Sequence, residues 1–463
     1  GFAAGVDISN SSSGGRPGAN AQIRIRGNRS LDAKNSAAGT KNNPLFILDG
    51  IPLTDGVSSI QDINPQDIAS VEVLKDAAST AIYGSRGSNG VVIITTKRGE
   101  KGKTVINYNG YYGISTPVQT IDMMNGSEFA DLKRESRRNG WNGTIPTDAE
   151  IFEPVELESI ALGRSTDYQD LLIENGKQTE HNISLRGGAQ STQYALSLGY
   201  FDQTALIPDQ QYQRLTLRLN LDHKINEKIK VGSSSLTTLS LRNWGSRAAW
   251  NEAITNNPLG VPYDEDGNLI FLPTSDGIRT NPLSELVEGV NVTERRTARI
   301  FNSVFGEAEI IEGLKYRLNV GTDIRIWRDG EFNGSETFVN RQGAASASLG
   351  NTFEFGYTVE NILTYDKSFG MHDLRVTALQ SIQKQRTENS GLSASSFPYE
   401  SQQFYNLGSA ATPGTISSSL SEWSLASFMG RVNYEIGAKY LFQATLRADG
   451  SSRLSEENRW KYF

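Results

Sequence analysis

The sequence predicts a mainly β protein, in which a compact α+β domain precedes part of a large antiparallel transmembrane β-barrel. Three observations carry this prediction. Short strands and one short helix alternate over residues 1–103. Residues 104–463 instead repeat strands of alternating polarity, about ten residues each, between turns that contain Asn, Asp and Gly. The 45 glycines, 17 tyrosines and 18 phenylalanines are typical of β structure.

Composition excludes several classes of protein. The absence of cysteine excludes thiol catalysis, disulfides and Cys-ligated metal sites. His181, His223 and His372 are far apart in sequence and form no metal-binding motif. The 45 basic and 52 acidic residues give a net charge of −7, which argues against a nucleic-acid partner. No constellation of catalytic residues is recognisable, so we expect neither an enzyme nor a cofactor-binding protein.

The N-terminal region is predicted to form the compact α+β domain. We expect strands at residues 23–27, 44–52, 67–74 and 90–96, and a short Ala-rich helix at residues 75–83. Asp49 and Gly50 supply a tight turn, and Gly84 is placed to end the helix. Gly84, Gly87 and Gly90 lack the spacing of a phosphate-binding loop, so we interpret them as structural turns.

From residue 104 onward, apolar and polar side chains alternate along each predicted strand. In one strand Leu215, Leu217, Leu219 and Leu221 share a face, and Arg214, Thr216, Arg218, Asn220 and Asp222 share the other. Similar segments lie near residues 104–115, 179–189, 192–203, 211–223, 229–242, 296–311, 313–328, 351–366, 371–387, 422–436 and 439–450. A soluble β-sandwich also alternates, but long strands, polar faces suited to a wet lumen and aromatic residues at strand ends favour a membrane barrel.

The connections between these strands differ in length. Short turns, such as residues 312–313, contrast with long loops at residues 116–178, 243–292, 329–350 and 388–421. Short turns on one side and long loops on the other are typical of outer-membrane barrels. Aromatic residues in the long loops are candidates for contact with a sugar or peptide ligand, although exposed loops often have this composition. They are Trp141, Trp244, Trp250, Tyr263, Tyr399 and Tyr405.

The densest motif covers residues 71–99 and reads VEVLKDAASTAIYGSRGSNGVVIITTKRG. This motif resembles the plug-domain signature of the SusC/RagA family of TonB-dependent outer-membrane transporters of the Bacteroidota. Residues 23–27 (IRIRG) and 44–50 (PLFILDG) match the plug of the same family, and residues 446–453 (LRADGSSR) resemble one of its barrel motifs. The resemblance is strongest over residues 1–103, which we therefore call the plug.

The resemblance implies TonB-dependent active import of a nutrient, an oligosaccharide or a peptide, with the plug gating the barrel. It places the protein as a multi-pass barrel among the lipids of the outer membrane of a Gram-negative, Bacteroidota-like cell. The implied partners are a SusD-like surface lipoprotein, which delivers the ligand, and the energising TonB–ExbB–ExbD complex. A non-transporting outer-membrane receptor or adhesin, and a surface glycan-binding protein, remain alternatives.

Geometry leads us to expect a truncated chain. A plug of this size has a radius of gyration of about 13 Å, and a plugged lumen needs about 22 strands. Ten or eleven strands cannot enclose such a plug. We therefore expect residues 1–103 to be a plug truncated at its N terminus, and residues 104–463 to be the N-terminal half of a barrel truncated at its C terminus. No TonB box is recognisable in the sequence.

Three plug arginines suggest a contact between plug and barrel. A buried guanidinium needs a carboxylate partner, and Glu307 and Glu309 share one face of a predicted strand. We hypothesise that these glutamates face the lumen and pair with the plug arginines, forming a lock that restrains the plug. The alternative is that Arg24 and Arg26 are solvated and the glutamates face lumen water. The arginines concerned are Arg24, Arg26 and Arg86.

Overall fold

The computed structural model describes most of the chain, and its strands form three sheets. The described residues are 6–10, 16–18, 21–27, 42–53, 60–76, 80–140, 146–437 and 439–463. Within them, one sheet has two strands, one has four and one has twelve. The two small sheets belong to the plug, and we call the twelve-stranded sheet the wall.

Five of the six plug strands follow the predicted segments, and β1 was not predicted. They are β1 (Val6–Asn10), β2 (Ala21–Ile25), β3 (Leu45–Leu48), β4 (Ile51–Pro52), β5 (Ile68–Leu74) and β6 (Val91–Thr96). β1 pairs with β2, and the other four lie in the order β4-β3-β6-β5. β3 and β6 run parallel at the centre of that sheet. Their continuous apolar runs fit this position, because a central parallel strand is covered on both faces.

The wall is a simple antiparallel meander in which each strand pairs with the next in the chain. Its strands are β7 (Gly102–Ser115), β8 (Gly176–Gly188), β9 (Thr192–Thr204), β10 (Gln211–Lys224), β11 (Ile229–Asn243), β12 (Asn291–Ile311), β13 (Leu314–Asn333), β14 (Ser346–Phe369), β15 (His372–Ser395), β16 (Thr412–Ile436), β17 (Tyr440–Ser451) and β18 (Trp460–Tyr462). All eleven predicted segments correspond to strands, and only the short β18 was not predicted.

The wall exposes its apolar face and buries its polar face, which is the reverse of a sheet in a soluble protein. On β10, the four leucines at positions 215 to 221 are 41% to 46% exposed, whereas Arg214, Thr216, Arg218 and Asn220 are buried. The buried polar face turns towards the plug, and the exposed apolar face has the character that a lipid environment requires. The predicted alternation between a polar lumen side and an apolar outer side is therefore present in the structure.

Two of the predicted long loops are shorter than expected, because the flanking strands extend into them. β13 and β14 leave only residues 334–345 as a loop, and β15 and β16 leave only residues 396–411. The added strand segments are rich in Ser, Asn and Gly, which the sequence analysis interpreted as loop composition. Their backbones complete the antiparallel ladders of neighbouring strands, so the ladder extends without an apolar pattern.

The remaining long loops carry the helices. These are α1 (Gly126–Gly140), α2 (Asp148–Ile151), α3 (Pro154–Leu162), α4 (Tyr168–Leu172) and α5 (Arg247–Thr255), with 3-10 segments at Pro65–Asp67, Ala81–Gly87, Pro282–Leu286, Glu400–Tyr405, Leu407–Ser409 and Glu456–Asn458. Tyr168 and Leu172 pack against Ala249 and Ala253, so the β7–β8 loop and the β11–β12 loop share a small core. We call these two loops the cap. Among the helices described, none is both long and apolar enough to cross a bilayer.

The main apolar core joins the plug to the wall. Plug residues Phe46, Leu48 and Ile51 cluster with Leu236 of β11 and Phe301 of β12. The side chain of Ile51 lies close against the backbone of β13 beside this cluster: a Cβ atom added to Gly321 would lie 2.5 Å from Cγ2 of Ile51. Since the cluster draws on both parts, it fixes the plug against the centre of the wall.

We predict that Leu219→Arg, on the exposed apolar face of β10, lowers the unfolding free energy of the full-length protein in lipid vesicles by about 2–4 kcal/mol. The guanidinium would replace a side chain that is 46% exposed in the isolated chain and faces lipid in our account. Denaturant unfolding in vesicles measures the effect. Glu227→Arg, in the exposed β10–β11 turn, is the matched control, and equal costs for the two variants would contradict a lipid-facing surface.

Candidate functional site at the interface between plug and wall

The plug carboxylate of Asp49 is the centre of the interface. Asp49 and Gly50 form the turn between β3 and β4, with φ angles of 47° and 88°. The side chain of Asp49 is 0% exposed in the structure. Within the plug, Asp49 accepts hydrogen bonds from the Thr96 backbone N–H at 3.0 Å and from Thr96 Oγ1 at 2.8 Å.

The wall completes the partners of Asp49. Arg218 of β10 donates through Nη2 to Asp49 Oδ2, and Ser234 Oγ of β11 donates to the same oxygen at 2.7 Å. Arg218 Nη2 also contacts Thr96 Oγ1 at 2.6 Å, and its side chain is only 3% exposed. Asn220 extends the contact along β10 by donating to the carbonyl of Lys97 at 2.8 Å. One carboxylate thus connects a plug turn to two wall strands.

The protonation of Asp49 reflects these partners. Burial alone would raise the pKa of its carboxyl, but the Arg218 guanidinium and hydrogen bonds from Ser234 and Thr96 outweigh burial and hold the pKa below its usual value. A carboxyl with a lowered pKa stabilises the folded state above its unfolded-state pKa, near 4. That stabilisation disappears as the pH falls through the folded-state pKa.

A second ion-pair network lies nearer the long-loop end of the wall. The Arg299 side chain of β12 is fully buried, and its Nη1 donates to plug Asp62 at 3.1 Å. The same guanidinium contacts both oxygens of Asp323 on β13, at 2.9 and 2.8 Å. Arg325 lies 3.2 Å from Asp323 and 3.8 Å from Glu354. The fully buried guanidinium of Arg299 is stabilised because carboxylates from both the plug and the wall surround it.

Two further contacts tie β5 and β6 of the plug to the wall. Arg98 pairs with Asp222 of β10 at 2.8 Å. Asp67 accepts a hydrogen bond from Ser197 Oγ of β9 at 2.6 Å. Burial is the largest influence on Asp67 and raises the pKa of its carboxyl despite that hydrogen bond. Because the raised pKa favours the neutral acid in the folded chain, ionised Asp67 lowers the stability of the fold, whereas ionised Asp49 contributes to it.

The plug segment Ala81–Gly87 docks on β17. Asp449 Oδ2 accepts a hydrogen bond from the Ser85 backbone at 3.2 Å, and Arg447 donates to the carbonyl of Ile82. Gly84 has a φ of 57°, and a Cβ added there would overlap the Asp449 carboxylate and lie 2.6 Å from Arg447 Nε. Glycine is therefore required at this position both by the backbone conformation and by the close approach of the wall.

Four of the five residues of the hypothesised lock have other partners in the structure. Arg26 pairs with Asp76 inside the plug at 2.7 Å, and Arg86 donates to Gln383 of β15. Glu307 does face the plug side, but the ladder sets it opposite Arg317, whose Nη1 lies 3.4 Å away. Glu309 accepts a hydrogen bond from the Gly313 N–H at 3.3 Å.

Strand register gives Glu307 a cation on the wall itself, in the place of a plug arginine. Arg24 lies on β2 and is half-buried. Burial and then Arg447 lower the pKa of Arg86 to about 10, while Glu360 and Asp449 oppose that shift. Whether the predicted residues restrain the plug stays a prediction. The described ion pairs across the interface instead use Asp49, Asp62, Arg98 and Glu100 of the plug with their wall partners.

The other predicted plug glycines also occupy tight positions. Gly90 has a φ of 89°, and a Cβ there would lie 2.7 Å from Cδ1 of Ile25. A Cβ on Gly87 would lie 2.8 Å from the carbonyl oxygen of Thr80. Both glycines therefore lie where backbone or core atoms approach closely, as a structural role requires.

The aromatic residues predicted for ligand contact are not brought together. Trp250 packs in the small core of the cap. Tyr405 accepts a hydrogen bond from Arg296 at 3.2 Å, beside Phe404. Phe404 covers Phe332, on the face of β13 opposite Asp323, so this loop lies on the outer side of the wall.

The remaining aromatic candidates are scattered. Tyr263 flanks a hairpin turn through a bridge to Leu269, and Tyr399 is exposed. Trp244 lies between two guanidinium groups, with Arg242 at 5.5 Å and Arg295 at 5.1 Å from its ring. Trp141 lies outside the described residues. Ligand contact by these residues stays a prediction.

Sequence reasoning missed the wall side of the interface. Arg218 and Asn220 were assigned to the polar face of their strand, but their plug partners were not identified. Asp49 was singled out only as a turn residue, and Arg299 and Asp323 were not singled out at all. The available signal was the repetition of arginines on a lumen-side face, since a charge that is buried there needs a partner from the plug.

Comparisons with known proteins agree with this architecture. The TonB-dependent Receptor Plug Domain family matches residues 1–91. TonB-dependent receptor P3 of Formosa agariphila is 33% identical over 100% of this chain and 44% of its own length. TonB-dependent receptor SusC of Bacteroides thetaiotaomicron is 29% identical over 99% of this chain and 46% of its own length. The RagAB peptide transporter structure superposes with a TM-score of 0.84 at 24% identity, covering 100% of this chain and 54% of that one.

The fold and the interface define a β-barrel receptor in which a plug domain docks on the polar inner face of the barrel wall. The chain belongs to the SusC/RagA family of TonB-dependent receptors. It spans about half the length of the relatives that it matches.

We predict that Asp49→Asn weakens docking of the plug by about 3 kcal/mol at neutral pH, because buried Arg218 loses its counter-charge. Asp67→Asn is the matched control and should leave docking unchanged or strengthen it, since burial already favours the neutral acid. Thermal unfolding of the full-length receptor in detergent, together with leak conductance in planar bilayers, measures both variants. Equal effects of the two substitutions would sink the proposed role of Asp49.

Gly84→Ala should also release the plug, because the added methyl group meets Asp449 and Arg447. Gly163→Ala is the control: Gly163 ends α3 with a φ of 64° and has nothing within 4 Å of its added Cβ. The control therefore isolates backbone strain, worth about 1 kcal/mol. A leak conductance no larger in Gly84→Ala than in Gly163→Ala would contradict the contact with the wall.

Proposed function

We propose that the protein imports a nutrient across the outer membrane by TonB-dependent active transport, with the plug gating the barrel. The single observation that carries this proposal is the chemistry of the interface. The plug is held on an inner face of buried ion pairs and hydrogen bonds, on a wall whose outer face is apolar.

A polar interface suits a part that must move. When a plug leaves the wall, each carboxylate and each guanidinium group loses its ion-pair partner and becomes hydrated. Hydration offsets much of the free energy of the lost ion pairs. A purely apolar interface would expose hydrophobic surface to the lumen and would oppose every cycle. The plug can therefore have two states whose balance ligand binding on the cap side and a mechanical pull from the other side would shift.

The proposed partners follow from the family. A SusD-like surface lipoprotein would cover the cap end of the barrel and deliver the ligand, and the TonB–ExbB–ExbD complex would supply the pull. The cargo is an oligosaccharide or a peptide. The name of the RagAB peptide transporter supports the peptide alternative. The outer membrane, with its lipids against the apolar face, is the proposed location.

The test is an uptake experiment in the source bacterium. The gene is deleted, and the purified receptor and its lipoprotein are used to identify the co-purifying ligand by mass spectrometry. We expect the deletion to abolish uptake of that ligand, and deletion of tonB to reproduce the loss while surface binding persists. The full-length gene restores uptake in the control strain. Surface binding without any uptake in the wild type would contradict transport and favour a receptor or adhesin.

A further inference from the structure

A cavity of about 570 Å³ lies at the long-loop end of the wall. Its lining includes Asn291 of β12 and Asn333 of β13, close to the long-loop ends of these strands. Odd-numbered residues of β12 and β13, such as Arg299 and Asp323, turn to the plug, so the cavity opens on the lumen side. The first turn of α5 closes it from the cap, and Arg16 closes it from the plug.

Two arginines from different parts of the chain meet in this cavity. Arg16 comes from the plug and is half-buried, and Arg247 begins α5 in the cap. Neither guanidinium has an ion pair or a side-chain hydrogen bond among the described residues. The interface arginines described above differ, because Arg218 and Arg299 each contact a plug carboxylate.

The electrostatics of Arg16 agree with this geometry. Burial, and then the nearby charge of Arg247, lower the pKa of its guanidinium, and no described carboxylate offsets them. Two like charges brought together in a partly buried place attract an anion, because an anion relieves both the repulsion and the loss of hydration. Among the described lining residues one carboxylate is present, that of Glu331, which accepts a hydrogen bond from Asn333 at 3.3 Å.

The side-chain amide of Asn291, which lies beside the arginines, sets a second requirement for a ligand. Asn291 donates to Asn333 Oδ1 at 3.0 Å and to Glu285 at 3.4 Å. Its own Oδ1 is buried without a hydrogen-bond partner among the described residues. A buried amide oxygen of this kind is costly unless a donor reaches it. Glu285 itself is occupied by Ser246 Oγ at 2.5 Å and by the Phe338 N–H.

Trp244 contributes shape rather than a stacking surface. Arg242 and Arg295 lie against its ring, so an incoming sugar ring would have to displace a cation–π contact in order to stack there. Recognition in this cavity therefore depends on charge and hydrogen bonds. A suitable ligand group carries an anion, with a hydroxyl or amide N–H donor next to it.

We propose that this cavity is a subsite for the imported ligand and that Arg16 and Arg247 bind its carboxylate or sulfate group, while Asn291 Oδ1 accepts a hydrogen bond from a neighbouring hydroxyl or amide. The subsite rests on the proposed import function and narrows its cargo to acidic oligosaccharides or acidic peptides. Because Arg16 belongs to the plug and Arg247 to the cap, a bound anion joins the two parts. Ligand occupancy is thereby linked to the position of the plug.

The test begins with an inorganic probe, so that it does not depend on the identity of the cargo. Crystals of the full-length receptor are soaked in sodium selenate, and anomalous scattering locates the selenium. We expect a peak between Arg16 and Arg247 in the wild type and in Arg137→Gln, a control on exposed α1. The peak should be lost in the double variant Arg16→Gln/Arg247→Gln. Absence of the wild-type peak would overturn the proposal.

The second measurement identifies the source of the anion. Calorimetry compares oligogalacturonate with its carboxyl-reduced form, an acidic peptide with its amidated form, and the co-purified cargo with its neutralised derivative. Each lost arginine should weaken binding of the acidic cargo about tenfold or more and leave neutral analogues unaffected. A neutral native cargo would mean that selenate marks an adventitious ion only, and would overturn the subsite. Uptake of that neutral cargo would still depend on TonB, so failure of the subsite is distinguishable from failure of the import function.

Discussion

The rest of the structure depends on the contact between Asp49 of the plug and Arg218 of the wall. A barrel that accommodates a plug must face it with polar side chains, and a polar side chain in a dry interface costs stability unless it finds a partner. Asp49 satisfies Arg218, Ser234 and Thr96 together. The turn that presents Asp49 has a left-handed conformation, so the backbone itself is fitted to this contact. Asp62 of the plug likewise forms an ion pair with buried Arg299 on wall strand β12.

This constraint explains why the wall has its polarity reversed and why the cap has a separate core. Most apolar residues of a wall strand such as β10 lie on the outer face, so few of them can join a core with the cap. The cap instead packs Tyr168 and Leu172 against Ala249 and Ala253 within itself. The main apolar core is correspondingly small and occurs where Ile51 of the plug reaches Gly321 of the wall. Movement of the plug need not disturb the cap.

Strand alternation predicted much of the fold, because side-chain period and turn chemistry are local properties. Five of the six plug strands and the eleven wall segments follow from such patterns. The extended ends of β15 and β16 did not, since Ser- and Gly-rich segments look the same in a solvated ladder and in a loop. Local patterns also could not predict which plug and wall residues contact each other. Alternation placed Arg218 on the polar face, but its partner is 169 positions away, and strand register alone decided that Glu307 meets Arg317.

In the proposed import cycle the plug moves against this wall, and a reversible covalent tether between the two parts tests that movement. The chain has no cysteine, so Ile51→Cys combined with Gly321→Cys in the full-length receptor places one thiol on each side of a close plug–wall approach. We predict that oxidation of this pair stops uptake of the cargo, that reduction restores it, and that the Ile51→Cys single variant transports normally under the same oxidising conditions. Normal uptake with the disulfide fully formed would contradict the account.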